Sequence, residues 1–109
     1  MDTSTEVLNE VYAERMRQDS LWGVQDHDNG VFPLFQAVEA QKKYTETLRD
    51  TGKLTWSIIL KEEFTEAIHA YSEKNLRSEL IQVAAVCVAW VECIDRSRDR
   101  RERLRKQMT

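Results

Sequence analysis

Apolar residues recur at helical spacing in four stretches of this chain, separated by the few positions that break helices. The first stretch runs from about Thr5 to Gln18, with Val7, Leu8, Val11 and Met16 facing inward. A loop from Ser20 to Pro33 follows, carrying Gly23, Gly30 and the only proline. The second stretch runs from about Leu34 to Asp50, with Leu34, Phe35, Val38, Tyr44 and Leu48 as its apolar side and a turn at Gly52 after it. The third starts at an N-cap, Thr55, and continues to about Ser72; the fourth starts near Asn75 and runs into a basic tail. The expected fold is an all-α four-helix bundle in one domain, residues 1–109, with the tail at about 96–109.

The third and fourth stretches carry polar positions where a simple bundle would be apolar. On the third, Leu60, Phe64, Ala67 and Tyr71 form one apolar stripe, while the adjacent stripe reads Ile59, Glu63, Glu66, Ala70. On the fourth, Glu79, Gln82, Val86, Ala89 and Cys93 share a face beside the wholly apolar stripe Leu76, Leu80, Val83, Cys87, Trp90 and Ile94. From Leu80 to Ile94 this helix is apolar almost all round, so it is expected at the buried centre of the bundle. The connection is short, which makes the two helices antiparallel neighbours and brings Glu63 and Glu66 to the height of Glu79 and Gln82. Spacing alone allows two readings: a solvated acidic face paired with Lys61 or Arg77, or a metal site. The apolar flanks favour the metal, because carboxylates clustered in a partly dry groove repel and need a compensating charge. Oxygen donors without histidine or thiolate select Mg²⁺, or Mn²⁺, over Zn²⁺.

Charge adds an asymmetry. The net charge of −3 divides into +4 for Asp95–Lys106, with seven basic residues against three acids, and −7 for the rest. Such a run is read first as a solvated helix end, so nucleic acid is not an expected partner. Cys87 and Cys93 lie about 9 Å apart along one helix, too far for a disulfide, and are expected as reduced core thiols. The acidic start, MDTSTEVLNE, has no apolar signal core, and the longest apolar run, Val83–Val91, has nine residues against the ~20 of a membrane helix. A cytoplasmic protein without a membrane partner is expected.

KEEFTEA (Lys61–Ala67) followed by SELIQVAAV (Ser78–Val86) resembles the paired acidic motifs of the MazG-like all-α nucleoside triphosphate pyrophosphohydrolases, E-x-x-E on one helix and E-x-x-D on the next. ERMRQDSLWGVQDH (Glu14–His27) and AAVCVAWVECID (Ala84–Asp95) look like a small single-domain subgroup from phages and bacteria. The resemblance implies an enzyme that cleaves NTPs or dNTPs to the monophosphate and pyrophosphate with Mg²⁺ held by Glu63, Glu66 and Glu79. Gln82 stands where that family has aspartate and offers a carbonyl oxygen without charge. Glu62 is a candidate outer ligand or water-orienting base. Homodimers or homotetramers are implied, and the all-round apolar fourth helix points the same way.

For substrate binding, Trp22 can stack on a base while Gln25 or His27 reads its edge, all in the glycine-bearing loop with Asp26. Lys53 and Lys61 are candidates for the triphosphate oxygens. Trp56 and Trp90 read as core or subunit-interface aromatics, and His69 as a surface or rim residue. Two rival functions remain at this point: a catalytically weak nucleotide sensor, favoured by Gln82, and a helical interaction or nucleic-acid-binding module using the tail.

Overall fold

A computed structural model describes residues 2–109 as four helices, with no strand among them: α1 (Thr3–Trp22), α2 (Phe35–Asp50), α3 (Trp56–Ile68) and α4 (Glu73–Gln107). The all-α class is the one read from the sequence. Among the described residues no helix is long and apolar enough to cross a membrane.

Local chemistry accounts for where the helices begin and end. Asp2 caps α1, its Oδ1 accepting from the Thr5 amide at 2.8 Å. α1 then runs four residues beyond the expected end at Gln18, because nothing breaks it before Gly23, whose positive φ of 69° closes it. Arg15–Asp19 at 2.8 Å and Arg17–Glu14 at 2.6 Å lie along this last part, each one turn apart. α2 ends as its turn residues predict: Gly52 takes φ 71° and the Lys53 amide donates to the Leu48 carbonyl at 2.8 Å, a Schellman arrangement. Thr55 caps α3 by accepting from the Ile58 amide. α3 stops at Ile68, short of the expected Ser72, and Ser72 instead starts α4, its Oγ accepting from the Asn75 amide at 3.0 Å.

The chain divides into two compact units, with the boundary inside α4: one takes the residues through His27 with Val88–Thr109, the other Asp28–Cys87. In the first, Val7 is buried and the Ser4 hydroxyl donates to the Glu92 carboxylate. In the second, α2 packs on α3, and Ala67, Ala70 and Leu76 form the core, with Val31 and Val83 against it. Alanines at the centre let helix and loop backbones approach closely. Ala67, 1% exposed, has no room for three more carbons. Ala67→Leu is expected to cost about 1–3 kcal/mol by overpacking. An unchanged denaturant midpoint would show that the contact is loose.

Three expected burial patterns are overturned. α1 buries Val7 but leaves Leu8, Val11 and Met16 exposed, since a short chain covers only one line of its first helix. α2 buries Thr45, not Tyr44, and leaves Phe35 and Tyr44 exposed. Thr45 tolerates burial because its hydroxyl donates to the Gln41 carbonyl at 2.9 Å. α4 is not a buried centre: Leu80, Ile81, Val91 and Ile94 are exposed, and so is Cys87. A single chain of this size has too little apolar surface to enclose a helix on every side. Both cysteines are free, as expected, but only Cys93 is partly buried.

The segment before α2 is held by α3. The Phe32 amide donates to the Ile68 carbonyl at 3.2 Å, and His69 Nδ1 donates to the Phe32 carbonyl at 2.9 Å. The Phe32 ring meets the His69 ring edge-on, with centroids 5.1 Å apart. One carbonyl freed at the end of α3 thereby gains a partner. Residues 33–35 are delivered beside the polar residues of α3 and α4, and His69 serves as a clamp.

Candidate functional site

Glu63 and Glu66 stand one turn apart on α3, and Glu79 stands in the second turn of α4. One oxygen from each carboxylate lies within 4.8 Å of the others, and all three side chains are partly buried. The convergence expected from the motif spacing is therefore observed for these three residues. Asn75, one turn before Glu79, positions it: Nδ2 donates to Glu79 Oε1 at 3.4 Å, while Oδ1 accepts from the Tyr71 amide at 3.3 Å. Lys42, from α2, places its ammonium 3.9 Å from Glu66 Oε1. Two buried carboxylate oxygens, Glu63 Oε2 and Glu79 Oε2, have no hydrogen-bond partner.

These surroundings disfavour full ionisation. Burial pushes the Glu66 carboxyl up to about 7, aided by its hydrogen bond with Glu79 and by the charges of Glu63 and Glu79; Lys42 offsets part of this. Glu63 is raised by burial first, then by the charges of Glu79 and Glu62, again with Lys42 opposing. A cluster with unmet acceptors and excess negative charge can take up a hard cation. Its donor set, carboxylate oxygens only, fits Mg²⁺ or Mn²⁺.

The remaining predicted residues are distributed differently. Glu62 is partly buried and acts on Glu63 through its charge. Gln82 is exposed, and the cavity beside the carboxylates is lined as far as Glu79 without it. Gln82→Asp is accordingly expected to change stability by no more than ~0.5 kcal/mol, in chelator and in Mg²⁺ alike. Thermal melts with opposite shifts in the two conditions would return residue 82 to the cluster. Trp22 is the last residue of α1, 70% exposed, and not part of the loop. Gln25 and His27 bond to each other, His27 Nε2 donating to Gln25 Oε1 at 3.1 Å. These three belong to the first unit and the carboxylates to the second. Lys53 and Lys61 are exposed.

Sequence reasoning missed Lys42 and Asn75. Asn75 was accessible in principle, since it lies at i−4 from Glu79 on one helix face. Lys42 carries no such signal; its place depends on how α2 packs on α3.

The chain matches no protein-family model, no curated protein and no solved structure at a significant level.

Proposed function

We propose that this protein is a Mg²⁺-dependent nucleoside triphosphate pyrophosphohydrolase, splitting NTPs or dNTPs into the monophosphate and pyrophosphate. The observation that carries the proposal is the meeting of Glu63, Glu66 and Glu79, within 4.8 Å across two helices, with two buried oxygens lacking partners. Sequence order and spacing agree with the acidic motifs of the MazG-like enzymes that the chain resembles, with Gln82 in place of the second motif's aspartate. Glu63, Glu66 and Glu79 would hold Mg²⁺ or Mn²⁺, which supplies charge neutralisation at the phosphoanhydride. Glu62, beside Glu63, orients a water and accepts its proton as the water oxygen attacks phosphorus and pyrophosphate departs. Asn75 fixes the direction of the Glu79 carboxylate.

A screen for pyrophosphate release over NTPs and dNTPs, with and without Mg²⁺, tests the proposal. Release confined to the metal-containing reactions is expected. No release from any nucleotide with either Mg²⁺ or Mn²⁺ would overturn it.

Association into a homodimer or homotetramer belongs to the same proposal and is supported by the exposed apolar residues of α4. Leu80, Ile81 and Ile94 are each more than half exposed, an amount of apolar surface that a partner copy would cover. Sedimentation at micromolar concentration should give a species at least twice the 12.8 kDa chain mass. A stable monomer would refute the association. A cytoplasmic location completes the reading.

A further inference from the structure

A cavity of about 250 Å³ opens beside the carboxylates, with Leu34, Phe35 and Val38 on an apolar side and Glu66 and Glu79 on a charged one. Lys42 lines it as well and belongs to α2, a helix with no part in the acidic motifs. We infer that Lys42 is a phosphate-binding residue of this site, its ammonium resting against Glu66 in the metal-free protein and turning to the phosphate oxygens once a divalent cation neutralises the carboxylates. The inference rests on the pyrophosphohydrolase reading.

Three observations carry it. The Lys42–Glu66 separation of 3.9 Å exceeds the ~2.7–2.9 Å of a charge-assisted hydrogen bond, so the ammonium is attracted but not locked. The two partners differ in exposure: the Lys42 side chain is 59% exposed and Glu66 17%, so solvent around the lysine leaves its flexible stem space to turn. Finally, Lys42 lines the cavity together with Glu66 and Glu79, which places a cation beside those carboxylates. It therefore serves as the cluster's counter-charge. A divalent cation held by the same oxygens would take over that role and repel the ammonium. The cavity leaves room for an anion beside it, and lysine suits phosphate as a compact point charge with three donors.

Calorimetric titration of the whole chain, first with Mg²⁺ and then with pyrophosphate in saturating Mg²⁺, separates this role from a structural one. Lys42→Ala should bind Mg²⁺ at least as tightly as the parent, since a competing cation is gone. Its pyrophosphate affinity should fall by about tenfold or more, the scale of one lost charged contact, and Lys42→Arg should keep most of it. Equal pyrophosphate affinities in parent and Lys42→Ala would overturn the inference and leave the metal site standing. A parallel loss of Mg²⁺ and pyrophosphate binding would overturn it too, by showing that Lys42 only supports the fold. No Mg²⁺ binding by the parent would instead remove the pyrophosphohydrolase reading and this inference with it. If circular dichroism shows Lys42→Ala unfolded, Lys42→Gln, which keeps most of the stem, takes its place with the same expected outcomes.

Discussion

Under the proposed function, Glu66→Gln is expected to lower Mg²⁺-dependent pyrophosphate release on the order of 100-fold or more, while the metal-free protein becomes more stable. The loss would follow from removing one of the three carboxylates proposed to hold the metal, on the scale seen when a single group that stabilises developing charge is deleted. The gain follows from the neighbourhood of Glu66. Its carboxyl is mostly enclosed, hydrogen-bonded with Glu79 and faced by Glu63, so its charge is opposed from two sides. Glutamine keeps the volume and a hydrogen-bonding end without that charge. The Lys42 contact that it forfeits is solvent-exposed on the lysine side and contributes little. A gain of about 1–3 kcal/mol in chelator at pH 8 is expected, read as a higher denaturation midpoint. Wild-type turnover in the variant would remove Glu66 from the catalytic set. A lower midpoint in chelator would mean that its environment stabilises the charge.

The second large effect is a fall in the stability of metal-free protein as pH rises. Glu66 has a folded-state value of about 7 against 4.5 for the free side chain. Between those values the native carboxyl retains a proton that the unfolded chain has released, so stability declines across the window and levels off above it. The difference amounts to about 3 kcal/mol by pH 8, at 1.36 kcal/mol per unit. Glu63, also raised, adds in the same direction. Below 4.5 the opposite trend sets in, because Asp2 and Glu14 are held below their ordinary values, by the Thr5 amide and by the Arg17 guanidinium respectively. Denaturant melts in chelator at pH 5, 6, 7 and 8 should show the decline, and Glu66→Gln should flatten most of it. Mg²⁺ favours the ionised carboxylates and should restore stability at the alkaline end, by about 2.7 kcal/mol at 100 times its dissociation constant. A level profile from pH 5 to 8 in chelator would contradict the burial and crowding on which the candidate site depends.

Much of this structure was legible from short stretches of chain. Thr55 at the head of α3 and Gly52 after α2 act through bonds to residues three to five positions away, so their effect needs no knowledge of the rest of the fold. The meeting of Glu63, Glu66 and Glu79 was nearly as local: helical spacing sets the first pair, and a short connection returns the chain to the same height. Tertiary packing decided the features that depend on how far each helix rotates about its axis. Gln82 is three residues past Glu79, roughly 60° around the helix, and that angle is enough to leave it in water. Thr45 lies one residue past Tyr44, about 100° away; packing turns it inward, and its hydroxyl tolerates the burial because it has a partner in its own helix. Lys42 reaches Glu66 only because α2 lies against α3, a contact between residues 24 positions apart that no local pattern encodes. α4 offered apolar residues on all sides, but the other helices cover only some of them; burial is settled by the surface available across the whole chain, not by the composition of one helix.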